Sequence, residues 1–364
     1  MSPVRLPLCL LMAIGWMSRP SLAETVQVVP DVALTSPSQP QVAVDAEGVI
    51  YIAYGSDHAI YCSVSTDGGK SYAPPVKVGQ VKRLALGRRR GPRIAAGRWF
   101  IVVTAIADKL GGGRDGELIA WRSSDGGRSW QGPSQVNDVA RSAREGLHAM
   151  AMGPNGQLFC TWLDLRNKTT QIFDARSTDG GATWSENRLV YHSPSGTVCQ
   201  CCHPSVVYDS EGGLYVMWRN ALDGYRDPFV ATSADGGKIF AEAKKIGRGT
   251  WELDICPMDG GALAVVRPGK ITTVWRRREQ VFRTDPGRDD EMLLGAGRQP
   301  WAATSPEGAY LVWLAGKPAD LWLASSASRR PIKLAAGANY PAVASPQAGP
   351  YGATSIMAAV VAPN

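Results

Sequence analysis

Short apolar runs, broken by glycine, proline and acidic turns, fill the chain, and none of them carries a helical period. "PQVAVDAEGVIYIAY", "PSVVYDSEGGLYVMW" and "PWAATSPEGAYLVW" share one layout. Each opens with a proline-led strand, passes through a polar turn and ends in a second strand rich in aromatic residues. A third strand of the type "AIYCSVS" or "GELIAWRS" comes next, with a fourth after it. Such units start near Pro40, Pro92, Leu147, Pro204, Gly261, Pro300 and Pro341.

A turn sequence repeats in step with the strands. "STDGGKSY" (65–72), "SSDGGRSW" (123–130), "STDGGATW" (177–184) and "SADGGKIF" (233–240) put aspartates at 67, 125, 179 and 235, so the steps are 58, 54 and 56 residues. A weaker copy, "RTDPGRD", places Asp285 another 50 residues on. An aspartate that accepts backbone N–H bonds, followed by paired glycines that tolerate positive φ, makes a hairpin turn, and the closing aromatic tucks back onto the sheet. Together these features predict an all-β chain, a β-propeller of four-stranded antiparallel blades. The starts give seven blades, or six if one unit is only a flank. The seventh unit is short, and "TVQVVPDVAL" near the N-terminus is expected to supply its outer strand and close the ring.

Composition changes the picture at one end. Arg5, the apolar run "LPLCLLMAIGWM" and the small-x-small triplet Ser21-Leu22-Ala23 have the layout of an export signal. Residues 1–23 are therefore expected to be removed, leaving 24–364 as a single propeller domain that is periplasmic or secreted. Cys9 leaves with the signal, and Leu8 before it is not the small residue a lipoprotein cysteine needs. No later stretch of 18 apolar residues predicts a membrane span. Losing Arg5 and Arg19 takes the net charge from 39 − 32 = +7 to 37 − 32 = +5. That excess is mild and has no long basic run, which argues against nucleic acid and leaves room for an anionic ligand.

The repeated turns resemble the Asp-box, or BNR, repeats of the sialidase superfamily, and the resemblance covers essentially the whole chain after residue 23. It implies a propeller that binds or hydrolyses a carbohydrate or other small anionic ligand at the channel mouth; an enzyme of this kind would be a glycosidase of exo-sialidase type. Sialidases use an arginine triad for the substrate carboxylate, a tyrosine nucleophile assisted by a glutamate, and an aspartate acid. "GPRIAAGRWF" is similar to the family stretch that opens with Arg-Ile-Pro, which makes Arg93 the first triad arginine and puts Asp115 in the acid loop. Alanine stands here where the family has proline, and the unit is the second rather than the first. "GKITTVWRR" offers Arg276 as the second arginine, and Arg298 is the candidate third. "GANYPAVAS" places Tyr340 at the nucleophile position, with Glu252 as its candidate partner. The Asp boxes themselves read as rim turns without catalysis.

One stretch stands apart. "TVCQCCHPSVVYD" holds Cys199, Cys201, Cys202 and His203 just ahead of Pro204, and Cys256 lies in the next crossing. Cys199 precedes Pro204 by five residues, as Cys256 precedes Gly261, so adjacent mouth loops carry cysteines at matched positions. These loops also look like those of exported bacterial sialidase-like proteins. Three readings stand side by side. A disulfide joins Cys256 to one of the other three. A soft-metal site of copper or zinc uses Cys199, Cys201, Cys202, His203 and Cys256, making a non-hydrolytic metal or redox-active propeller. Haem c attaches at Cys199-x-x-Cys202-His203, although entry into a strand through Pro204 and a stranded Cys201 speak against it. Cys62 and Cys160 read as buried thiols, His148 as a mouth-facing or surface hydrogen-bonded residue, and Asp164 and Arg166 as an ion pair.

Overall fold

The structure is a computed structural model. It describes residues 8–14, 24–29, 34, 36–108, 116–253, 257–287, 290–306, 308–326, 328, 330–345 and 355–361. Among these residues every regular element is a strand, and no helix is long and apolar enough to cross a membrane.

Six successive four-strand antiparallel units follow one another, each read from inner to outer strand. The first is Ser38–Val44, Ile50–Ser56, Ala59–Ser65 and Val76–Gln80; the second is Arg93–Ala96, Ile101–Asp108, Gly116–Ser123 and Gln131–Gln135. The third is Ala143–Met152, Leu158–Asp164, Gln171–Ser177 and Arg188–Tyr191; the fourth is Ser205–Tyr208, Leu214–Arg219, Pro228–Ser233 and Lys244–Lys245. The fifth is Ala262–Arg267, Lys270–Arg277, Gln280–Thr284 and Glu291–Ala296; the sixth is Arg298–Ser305, Gly308–Ala315, Asp320–Ser325 and Ile332–Ala335. One backbone pairing, Ala143 with Gly116, joins the second and third units into a single sheet. A further sheet takes Asn339–Ala344 and Ser355–Val361, then Leu8–Ile14 and Glu24–Gln27. Part of the expected export signal thus lies in this sheet, and the outer strand drawn from "TVQVVPDVAL" is at its edge.

The inner strands lie side by side in chain order. Ser38–Val44 packs beside Arg93–Ala96, and the contacts continue through Ala143–Met152, Ser205–Tyr208, Ala262–Arg267 and Arg298–Ser305 to Asn339–Ala344, which packs beside Ser38–Val44. Because each sheet buries both faces, the core lies between units. Leu147, Phe159 and Leu163 of the third meet Val206, Leu214 and Trp218 of the fourth, and Met217 and Val230 of the fourth meet Leu263, Val265 and Trp275 of the fifth.

A repeated tryptophan sets the second strands. Trp162, Trp218, Trp275 and Trp313 are all fully buried. Each stands directly across from an aromatic of the third strand: Phe173, Phe229, Phe282 and Trp322. Such cross-strand pairs pin register, and cutting one tryptophan to alanine removes about 3–5 kcal/mol.

The Asp boxes close the third-to-fourth-strand turns with a repeated bond set. Ser123 Oγ donates to Asp125 Oδ1 (2.8 Å) and accepts the Gly127 N–H (2.9 Å), while the two Asp125 oxygens accept the N–H and hydroxyl of Ser129 (2.9 and 2.6 Å). These bonds, led by the one from Ser129, hold the Asp125 carboxyl down at about 2. The second glycine is required twice over in the fourth box. Gly237 has φ +93°, and a Cβ there would come within 2.8 Å of Phe159 in the preceding unit. That box also lacks the hydroxyl, since Ile239 stands where the others have Ser71, Ser129 and Thr183. In the fifth copy Arg283 replaces the serine and pairs with Asp285 at 3.1 Å.

Candidate functional site

At the opposite end of the sheets, chain crosses from each outer strand to the next inner strand. The entering backbone is kinked in a recurrent way. Gln39 (φ 56°), Gln299 (52°) and Tyr340 (51°) are all left-handed and each precedes the strand's proline, where extended backbone is the norm. A register shift accompanies each kink, between Ser38 and Gln41, Arg298 and Trp301, and Asn339 and Ala342. Left-handed backbone at non-glycine residues costs on the order of 1–3 kcal/mol, so the surrounding packing must hold it.

Three buried arginines pin carbonyls at this end, and one of them, Arg89, does so beside two of the kinks. Arg89 reaches across to the carbonyls of Pro341 (3.2 Å) and Pro300 (2.9 Å), joining the entry to the second unit with those to the sixth and the terminal sheet. Arg93 donates from Nε to His148 O (3.0 Å), from Nη1 to Gly91 O and Pro92 O (3.3 and 3.0 Å) and from Nη2 to Arg89 O (2.8 Å). Arg219 donates to the carbonyls of Asp259, Arg226 and Arg276. Burial pushes the Arg89 and Arg93 guanidiniums down to about 10 and about 9, and both still carry charge at neutral pH.

One carboxylate answers this charge. Asp259 is 1% exposed, its Oδ2 accepts the Gln299 N–H at 2.7 Å, and burial raises its pKa against the pull of Arg89, Arg276 and Arg219. Arg276 stands apart from the other arginines. It sits at the end of its strand with its side chain 13% exposed, Nη1 3.9 Å from Asp259 and Nη2 on Glu279. Both Arg219 and Arg276 lie over the Trp251 ring, 5.3 and 5.6 Å from its centroid. His203 is buried, stacks on Trp301 at 5.5 Å and accepts the Gly260 N–H through Nδ1, which leaves the proton of the neutral ring on Nε2. Burial, then Arg89, keeps that ring well below its usual pKa. Arg89 Nε, Asp259 Oδ1, His203 Nε2 and Gln299 Oε1 are buried with no partner among the described residues, so two donors and two acceptors meet at this end.

The cysteine loop borders the same arginines. Cys199 and Cys202 are free and buried, with Sγ atoms 3.5 Å apart. The bond from Cys202 brings the Cys199 thiol down to about 7, whereas burial, and then Cys199, pushes Cys202 up. Cys201 is disulfide-bonded. A disulfide sulfur has no thiolate to offer, so the expected metal set loses Cys201, and the described residues hold no group of three or more His, Cys, Asp or Glu able to bind a metal ion. Cys256 lies outside the described residues.

The expected sialidase residues are treated unequally. Arg93 is 4% exposed with all three nitrogens on carbonyls, so binding a substrate carboxylate would require breaking those bonds; its surroundings make it a strut. Tyr340 is half-buried against the cluster of Val28, Val29 and Tyr54, and its backbone kink is shared with Gln39 and Gln299. Glu252 is exposed and bridges to Tyr225 on the crossing into the fifth unit, whereas Tyr340 enters the terminal sheet. Arg298 is half-buried, with a long bond of 3.4 Å to Gly316 O. Asp115 lies outside the described residues. His148 is neither mouth-facing nor on the surface: it is fully buried, with Nε2 3.0 Å from Thr104 Oγ1. Asp164 and Arg166 pair at 2.9 Å, and Cys62 and Cys160 are buried thiols.

Sequence reasoning missed Arg89, Arg219, Asp259 and Trp251. One signal was available: "MWR" and "VWRR" put Arg219 and Arg276 at the same place, directly after the buried tryptophan of adjacent units.

Repeated four-stranded sheets, Asp-box turns and a charged mouth define a sialidase-like propeller class. The BNR repeat-like domain family matches residues 93–281, just over half of the chain, and the chain belongs to that family. No curated protein is significantly similar to it. Among solved structures it is similar to a protein of unknown function from Dyadobacter fermentans, with TM-score 0.51, 16% identity, and coverage of 90% of this chain and 95% of that one. It is also similar to the GH93 α-L-arabinofuranosidase of Fusarium graminearum solved with arabinobiose (0.51, 13%, 92% and 94%). The NanB sialidase of Streptococcus pneumoniae is a third such structure (0.51, 10%, 81% and 66%). At these identities the likeness shows the fold alone.

Proposed function

We propose that the chain is a seven-bladed propeller closed by its N-terminal strand, and that it recognises a carbohydrate or other anionic ligand at the crossing end. The cyclic order of inner-strand contacts supports the closed ring. With residues 1–23 removed after export to the periplasm or beyond, Glu24–Gln27 would take its place against Ser355–Val361.

The observation that carries the ligand reading is the charge imbalance at this end. Arg89, Arg93 and Arg219 are buried, Arg276 is nearly so, and Asp259 is the acidic group buried among them. Surplus positive charge in a poorly solvated place favours an anion. Arg276 is the arginine with a guanidinium face not fully committed to carbonyls, and Trp251 gives it an aromatic floor. Recognition is therefore assigned to Arg276, with Arg298 and Tyr340 as further contacts. Hydrolysis of the exo-sialidase type is the finer reading, and it needs Tyr340 and Glu252 to meet across different crossings.

A panel of fluorogenic sialosides and arabinofuranosides tests turnover, and a glycan array tests binding. Signal on an acidic glycan that Arg276→Ala abolishes supports the reading. Full retention of signal by Arg276→Ala would remove it.

A further inference from the structure

We infer that Cys199 and Cys202 form a reversible dithiol–disulfide couple, separate from the disulfide already made by Cys201. Two features of the loop carry this: the closeness of the sulfurs and the lack of another described partner for either. The two sulfurs are 3.5 Å apart, and a disulfide needs about 2.05 Å, so closure takes a shift of about 1.5 Å that side-chain rotation can supply. Both thiols are enclosed, at 2% and 1% exposure, so a local opening of the loop must expose one of them before an outside disulfide can reach it. The other described free cysteines, Cys62 and Cys160, lie on strands of the first and third units, and Cys201 is already bonded. Each sulfur's available partner among the described residues is therefore the other.

The backbone holds the pair in place from both sides. The Cys199 N–H donates to Arg219 O at 3.0 Å and the Val198 N–H to Thr170 O at 2.9 Å. Beyond the pair, Ser205 Oγ donates to Gly261 O at 2.9 Å. A loop tied at both ends loses little freedom when its sulfurs join. The reaction consumes one disulfide of a small thiol or of a thiol oxidoreductase. One protein thiolate attacks that disulfide and expels a thiol, and the second protein thiolate then attacks the mixed disulfide and expels the other. Two protein S–H bonds become one S–S bond, and the reagent leaves as two thiols carrying the two electrons and two protons. Closure would bear on the mouth, because Cys199 hangs from the carbonyl of Arg219, whose side chain holds the carbonyls of Arg226, Asp259 and Arg276.

The full chain is equilibrated in a series of reduced-to-oxidised glutathione buffers, quenched with acid, alkylated with N-ethylmaleimide under denaturing conditions and digested without reductant. The peptide bearing residues 199–202 should pass from two labels, on Cys199 and Cys202, to none in one step, and should return on the reverse titration. Cys201 should stay unlabelled throughout. Cys199→Ser should leave Cys202 labelled at every ratio; if that variant does not fold, the wild-type titration decides alone. Labels retained at every ratio, a singly labelled intermediate across the range, a bond to any other cysteine, or labelling blocked until a chelator is added would each overturn the inference.

Discussion

At the hairpin end of the sheets, three turns use the same atoms for the same bonds, and a fourth lacks only the hydroxyl bond. At the crossing end, three of the entries share a backbone kink and little else. The Asp boxes are local: Ser123, Asp125, Gly127 and Ser129 satisfy one another within seven residues. The mouth is held by distant partners. Arg89 bonds carbonyls 211 and 252 residues away, and Arg219 bonds one 57 residues on. Repetition builds a frame cheaply, because each turn stands or falls on its own sequence. Diversity is tolerated at the other end because buried guanidiniums, with five donors each, can bridge carbonyls from whatever crossings converge there.

That contrast can be broken at the mouth first. Arg219→Ala should leave carbonyls of Asp259, Arg226 and Arg276 without donors, and should lower unfolding free energy by about 3–5 kcal/mol in urea titrations. Arg219→Lys, which has no fork, should recover little of it. Arg276→Ala, whose side chain bridges to the exposed Glu279 rather than bonding several buried carbonyls, should cost far less stability; an equal loss would erase the distinction drawn between the two arginines.

A pH scan gives the next effect. Burial, then Arg93, holds the His148 pKa well below its ordinary 6.5. The unfolded chain takes up a proton below pH 6.5 that the folded chain refuses, so stability is full above that pH and falls as acid is added. The slope is up to about 1.4 kcal/mol per pH unit. His203 is held down in the same way, so His148→Gln should remove about half of the fall in melting temperature between pH 6.5 and 5; an unchanged slope would mean that His148 contributes none of it.

Smaller effects belong to the turns. Asp125→Ala should cost about 1 kcal/mol and Asp235→Ala less, since the fourth box lacks a hydroxyl bond. Ile239→Thr, at a side chain 73% exposed, should restore that bond and raise stability by about 0.5 kcal/mol. Failure of Ile239→Thr to help would show that the hydroxyl is incidental to the box.

The same contrast explains what the sequence disclosed. The proline-led starts near Pro40, Pro92, Pro204, Gly261, Pro300 and Pro341 fall within two residues of observed inner strands, because alternation and turn chemistry act over a few residues. The third strand begins at Ala143, four before Leu147, because a register shift lies between Ala143 and His148. Arg93 was visible as a residue but not as a strut: its role depends on the carbonyls of His148 and Arg89, which only the fold brings together. Asp259 and Trp251 carried no motif at all. The matched positions of Cys199 and Cys256 still predict that non-reducing peptide mapping will find Cys256 bonded to Cys201.

The crossing end is proposed to bind ligand through Arg276, and the Asp-box end to serve as frame. Glycan-array binding by the wild-type chain, Arg276→Ala and Asp125→Asn tests this most directly. An acidic glycan should emerge that the wild type and Asp125→Asn bind alike and that Arg276→Ala binds at least ~10-fold more weakly, a loss of about 1.4 kcal/mol. Equal binding by wild type and Arg276→Ala, or loss confined to Asp125→Asn, would contradict it.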